Sequence, residues 1–177
     1  MNKAEAVRMF QIGAEKGDAD AKCCLGVCYY HGKGVKLNKS TACNLFRESS
    51  EEGCVESLFL LGKCYFNGDG VDKDFARAVS MYEQAIEKGC TNAASQLALC
   101  YRFGRGVPKD NERGVHFYKI AELGGYPEAS LNLASLYDRG DGVEKDPEEA
   151  ARLKKRAEEL KESNPSESFE VAIRYAK

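Results

Sequence analysis

The sequence predicts an all-α chain built from stacked helix pairs, and three observations carry that prediction. The pattern Gly-x-Gly-Val begins at Gly32, Gly68, Gly104 and Gly140, each start 36 residues after the last. A fixed period of about 20 to 50 residues marks stacked supersecondary units rather than one globular core. Within each period, apolar and small residues recur at helical spacing, as in Ala21, Leu25 and Tyr29, four apart and on one helix face. No stretch shows the apolar/polar alternation of a strand.

The elements follow in chain order. Residues 3–17 read as the second helix of a pair whose first helix is missing, with Ala6 and Phe10 in the columns that later hold Ala42 and Phe46. The first full copy has helix A over 19–31 and helix B over 39–52. Pairs at 55–67/75–88, 91–103/111–124 and 127–139/147–162 repeat it without a gap. On helix A the leucines Leu25, Leu61, Leu97 and Leu133 precede the small residues Gly26, Gly62, Ala98 and Ala134, and Tyr29, Tyr65, Tyr101 and Tyr137 lie one turn on. On helix B the small column is Ala42, Ala78, Gly114 and Ala150, and the aromatic column is Phe46, Tyr82 and Tyr118. Small columns let helices approach; large ones fill the seam. Each Gly-x-Gly fits a helix C-terminus, because glycine enters the left-handed region without a Cβ penalty, and the valine after it plugs the corner between A and B.

Asn38, Asp74, Asp110 and Asp146 stand where an N-cap of helix B is needed. Asp146 is followed by Pro147, Glu148 and Glu149, a first-turn proline and capping-box acid. Gly17, Gly53, Gly89 and Gly125 end the B helices. The array therefore spans 1–162, as a partial unit 1–18 and copies 19–54, 55–90, 91–126 and 127–162. Residues 163–177 read as a short helix that continues or caps it, with Phe169 and Ile173 in the leucine and tyrosine columns.

The segment LGKCYFNGDGVDKDFARAVSMYEQAIEKG at 61–89 and its copies resemble the Sel1-like repeat family, relatives of the tetratricopeptide repeats. The resemblance covers about residues 3–162 and implies an αα-superhelix, a solenoid of 36-residue helix-turn-helix repeats. It implies no partner. Cysteine-rich bacterial members bridge A to B at columns occupied here by Ser50, Ile86, Leu58 and Ala94, so that bridging pattern is absent.

Composition narrows the function. Net charge is −2, and Arg152, Lys154, Lys155 and Arg156 are interleaved with Glu148, Glu149, Glu158 and Glu159. Nucleic-acid binding needs a basic face that releases counterions, and none is evident. The chain lacks the 18-residue apolar run of a membrane span. No signal peptide is visible, although a start in mid-unit leaves room for a lost leader. Of eight cysteines, Cys28, Cys64 and Cys100 share a column whose fourth member is Leu136, so the fold uses them as small apolar residues. A reducing compartment, the cytoplasm, is expected.

Little catalytic chemistry is visible. Cys24, Cys28 and His31 have a spacing that suits zinc, but the copies at Cys64 and Cys100 lack the histidine three residues on, so no metal is expected. Gly32-Lys33-Gly34 lacks the rest of a phosphate loop, and no strand precedes it. No Ser-x-x-Lys occurs, and the two histidines, His31 and His116, lie in different helices. Neither a catalytic residue nor a cofactor is expected.

The family resemblance implies that helix A lines the inner face of the array. The candidate contacts there are Tyr30 and His31; Phe59, Lys63, Phe66 and Asn67; Leu99, Arg102 and Phe103; and Asp138 and Arg139. Two columns, Tyr30/Phe66/Arg102/Asp138 and His31/Asn67/Phe103/Arg139, differ at every copy while their neighbours stay fixed. A surface tuned to a ligand would show that contrast. The expected function is a non-catalytic adaptor for a protein or peptide. The alternative is a regulatory or targeting segment of a larger protein or enzyme, docked intramolecularly; an enzyme in its own right comes third.

One chemical test follows directly from the cysteine columns. Alkylation of the denatured protein without reductant is expected to modify all eight thiols, as read by intact mass; a reproducible disulfide would contradict the reading.

Overall fold

Helix boundaries fall where capping chemistry sets them. In the computed structural model, which describes residues 2–163, the helices are α1 (Lys3–Glu15), α2 (Ala19–His31), α3 (Lys39–Glu51), α4 (Val55–Asn67), α5 (Phe75–Glu87), α6 (Thr91–Phe103), α7 (Asn111–Leu123), α8 (Pro127–Arg139) and α9 (Pro147–Ser163). No strand occurs among the described residues. The expected helix at 163–177 lies outside them, apart from Ser163 at the end of α9. The B helices otherwise close within one or two residues of the expected ends.

Each N-cap forms as the sequence suggests. Asn38 accepts the Thr41 N–H at 3.1 Å, Asp74 that of Arg77 at 3.0 Å and Asp110 that of Arg113 at 3.0 Å. Asp146 accepts from both Glu148 and Glu149 at 3.0 Å. A capping box at Asn2 and Glu5 starts α1. The N-cap residues of α4, α6 and α8 are Cys54, Cys90 and Tyr126, which make no side-chain capping bond.

The Gly-x-Gly-Val corner has two distinct glycines. The first, at 32, 68, 104 and 140, is the left-handed C-cap of helix A, with φ between 65° and 77°. The corner then closes on the tyrosine column, whose carbonyls accept the N–H of the next N-cap, as in Asn38 to Tyr29 and Asp74 to Tyr65, both 2.9 Å. The second glycine also has positive φ, and at 34, 70 and 142 it touches the preceding helix B. A Cβ on Gly34 would lie 2.7 Å from the Lys3 carbonyl oxygen. On Gly70 or Gly142 it would overlap the backbone of Lys39 or Asn111. Only a residue without a Cβ lets these backbones meet.

The described chain forms two units, dividing inside α5 between Met81 and Tyr82 rather than at a repeat junction. The uninterrupted period gave no sign of that division. In the first unit α1 packs on α2, α2 on α3 and α3 on α4. Its core holds Val7, Leu25 and Cys28, then Cys23, Ala42, Cys43, Phe46, Leu61 and Cys64. A Cβ on Gly26 would strike the Phe46 ring at 2.6 Å, so the small column makes room for the aromatic one. In the second unit α6 packs on α7, α7 on α8 and α8 on α9, around Ala98, Tyr118, Leu133, Leu136 and Leu153. Gly114 stands where other copies carry alanine because a Cβ there would press on the Arg102 stem at 2.8 Å. Val35, Val71 and Val143 are half-buried against these cores, as corner plugs should be.

Two glycines separate backbone strain from steric contact. Gly53 and Gly70 both have positive φ, but nothing lies within 4 Å of a Cβ on Gly53. Gly53→Ala is expected to cost about 1 kcal/mol of strain alone. Gly70→Ala should cost about 2 kcal/mol more, because the Lys39 backbone must move. Urea unfolding of both variants gives the comparison; equal losses would show that the glycine–helix contact carries no stability.

Candidate partner-binding face

The variable columns occupy the last turn of each helix A, where the left-handed cap turns the chain away. In the first unit the end of α2 and the facing part of α4 enclose a cleft of about 30 Å³, lined by Val27, Tyr30, His31, Phe46, Leu60 and Lys63. That volume holds roughly two waters, so it takes the tip of a side chain rather than a ligand. Three expected site residues, Tyr30, His31 and Lys63, meet there. The Tyr30 and His31 rings stand edge to face at 5.0 Å. His31 is exposed, and partial desolvation followed by Lys33, Lys63 and Lys39 holds its imidazole below the ordinary range. It is therefore neutral at pH 7.

Beside the cleft lies a network that the sequence reading missed. The Asp69 carboxylate accepts from the Tyr30 hydroxyl, from Lys39 Nζ and, at 3.3 Å, from the Asn67 amide. Lys39 also sits 5.2 Å from the Tyr30 ring centroid. Lys39 first, then the Tyr30 hydroxyl, hold the Asp69 carboxyl below the usual carboxylate range. Two expected contact residues, Tyr30 and Asn67, thus already serve an internal acid. The signal was present in the middle residue of Gly-x-Gly, which alternates Lys33, Asp69, Arg105 and Asp141. Phe66 is half-buried with its ring 5.2 Å from that of Phe75. Phe59 is only 5% exposed, under Lys63 at 5.6 Å, so its ring offers no surface to a partner.

In the second unit the contrast is sharper. Phe103 ends α6 with 56% of its surface exposed. The guanidinium of Arg102 lies 5.3 Å from its ring and that of Arg105 5.4 Å. Arg102 also reaches the buried Tyr118 ring at 5.9 Å, and its stem crosses Gly114. An exposed apolar ring thus has two guanidinium groups close to it. Leu99 is half-buried against the core. Asp138 is paired with Lys154 at 2.7 Å, and Arg139 is exposed at the end of α8.

A profile described as Sel1 repeat matches residues 2–18, 19–54, 55–90, 91–126 and 127–161. The chain belongs to the Sel1 repeat family. Among solved structures, a Sel1 repeat protein from Oxalobacter formigenes is similar at 30% identity and a TM-score of 0.85, over 89% of this chain and 63% of that one. The antigen c5321 of uropathogenic Escherichia coli, described as protective and as displaying an SLR fold, is similar at 32% identity and a TM-score of 0.81, over 89% of this chain and 34% of that one. This chain thus spans about a third and under two thirds of these relatives. Cysteine-rich protein B of Helicobacter pylori shares the fold at 21% identity and a TM-score of 0.55, over 70% of this chain and 93% of that one. A comparison with curated proteins finds no match.

Sel1 repeat proteins are generally protein-interaction scaffolds, and the family is typically non-catalytic. Among the described residues no three His, Cys, Asp or Glu side chains are grouped to hold a metal ion, so Cys24, Cys28 and His31 form no such set. No described helix is long and apolar enough to cross a membrane.

The Asp69 network yields a pH signature. Its folded pKa is depressed, so the native state binds fewer protons than the unfolded one. The stabilisation is present above the ordinary carboxylate pKa near 4 and is lost as pH falls through the folded value. At pH 7, Asp69→Asn is expected to cost about 1 kcal/mol, reduced from the strength of a buried charged pair because the carboxylate is 19% exposed. The gap between wild type and variant should close as pH falls below about 4. Thermal unfolding across that range reads it, and a pH-independent gap would exclude the charged network.

Proposed function

We propose that this chain is a non-catalytic adaptor that binds an extended or helical segment of a protein partner through the helix-A face. The observation that carries the reading is the contrast along helix A. The leucine column is at most 6% exposed, while His31, Asn67, Phe103 and Arg139, one per copy and all different, are exposed. A fixed, buried column serves the fold; a varied, exposed one is free to serve a ligand. Phe103 between Arg102 and Arg105 has the aromatic and guanidinium character of residues that carry interface energy. Charges of both signs are interspersed, which argues for a protein partner rather than nucleic acid. The use of Cys28, Cys64 and Cys100 as buried apolar residues, in a column where Leu136 also serves, supports a reducing compartment such as the cytoplasm. A second reading, in which the array docks within a longer parent chain as a regulatory or targeting segment, is favoured by the greater length of c5321.

Truncating a true anchor costs about 2 kcal/mol or more. Phe103→Ala is therefore expected to reduce partner capture at least tenfold with helical circular dichroism unchanged. Glu87→Arg, on an exposed B-helix surface, should leave capture intact. The reverse result would move the binding surface to the outer face and overturn the proposal.

A further inference from the structure

The first unit holds two facing pairs of cysteines with very different surroundings. Cys43 on α3 and Cys64 on α4 touch within the core, both 0% exposed, and the Cys43 thiol donates to the Asp69 carbonyl at 2.8 Å. Cys23 on α2 and Cys54 at the start of α4 touch as well, with the Cys23 thiol against the Cys54 sulfur. Cys23 is buried, but Cys54 is half-exposed. Cys54 also occupies the N-cap of α4, at the positive end of the helix dipole, where the Ser57 hydroxyl and backbone N–H favour its thiolate. Ser49 and Ser57, whose hydroxyls are 2.7 Å apart, line the same spot.

We propose that Cys54 and Cys23 form a thiol-oxidation site, in which hydrogen peroxide oxidises Cys54 and Cys23 resolves it to a disulfide. The Cys54 thiolate attacks a peroxide oxygen: an S–O bond forms, the O–O bond breaks, and hydroxide leaves to take up the proton that the thiol had released. The sulfur is now a sulfenic acid, oxidised by two electrons. The Cys23 sulfur then attacks it: an S–S bond forms, the S–OH bond breaks, and the hydroxide departs as water with the Cys23 proton. Two thiols and one peroxide give one disulfide and two waters.

The division of roles follows from the surroundings. The neighbouring Cys23 thiol lowers Cys54 to about 6 against the opposing effect of burial, while Cys23 is raised by the same contact and by burial. The more exposed sulfur at the helix N-terminus is the thiolate, and the buried partner keeps its proton until the second step. In the next copy Cys90 repeats the N-cap position, but Phe59 fills the column of Cys23. The pair is therefore particular to one junction, and it differs in position from the A-to-B columns that lack cysteine here. Its bridge would tie α2 to the start of α4, fixing the spacing of the helices that carry Tyr30, His31 and Lys63.

The test uses the whole reduced chain and hydrogen peroxide. Tryptic mapping after brief treatment and alkylation should show residues 23–33 linked to residues 48–63 before any other bridge, with fragmentation placing it at Cys23 and Cys54. Cys54→Ser, which replaces a cap residue with a better one, should abolish the link, whereas Cys90→Ser should leave it. Cys23→Ser should let the Cys54 sulfenic acid accumulate for trapping by dimedone. At pH 6 iodoacetamide should modify Cys54 about tenfold faster than the same cysteine in a synthetic peptide of residues 48–63. Its larger thiolate fraction outweighs its lower intrinsic nucleophilicity at that pH. A first bridge at Cys43 and Cys64, or Cys54 alkylation no faster than in the peptide, would overturn the proposal.

Discussion

Stacking within each unit depends on a backbone-to-backbone contact at the second glycine of three Gly-x-Gly corners. Gly34 rests on Lys3, Gly70 on Lys39 and Gly142 on Asn111. The contact is possible only without a Cβ, and it fixes where one helix pair sits on the one before. It also explains the absence of gaps in the 36-residue period. A helix A of 13 residues is a rigid rod of about 20 Å. Adding one residue would turn the corner by about 100° about the helix axis and carry the glycine off its seat. Loops elsewhere in proteins tolerate insertion, but this one is clamped at both ends, by the left-handed cap and by the tyrosine carbonyl.

That clamp frees the residue between the glycines, which points charge at whatever lies beside it. In the second copy it is Asp69, which gathers Tyr30, Lys39 and Asn67 into one network. In the first it is Lys33, whose ammonium is held below the ordinary range by desolvation first and by Lys3 second. In the third it is Arg105, stacked on Phe103. The same backbone position thus supplies attraction, repulsion and an aromatic–cation surface in turn. Variation at a fixed, well-supported position is how a repeat array acquires individual binding sites without disturbing its stack.

The cysteines show how one residue type serves two ends. Cys28, Cys64 and Cys100 lie in the core at positions where Leu136 serves equally, so packing accounts for them. Cys54 and Cys90 instead sit at helix starts, positions where Asp18 caps α2 through two N–H groups. Exchanging an oxygen cap for sulfur gives up a capping hydrogen bond, while Cys54 packs against the core of the first unit.

The sequence by itself determined the all-α class, the glycine helix ends and the N-caps at Asn38, Asp74, Asp110 and Asp146. These are local: a glycine that can take positive φ, an aspartate three residues before the N–H it accepts, and apolar residues four apart on one face. Tertiary structure decided what lies at long sequence separation. It brought Asp69 to Tyr30 across 39 residues, set Cys23 against Cys54, put Arg102 over Gly114 and closed Phe59 off from solvent. It also divided the chain inside α5, where the period runs on unchanged. The physical reason is that periodicity reports which face of a helix is buried. What that face meets, and how much of each side chain remains in water, is set by helices that are neighbours in space.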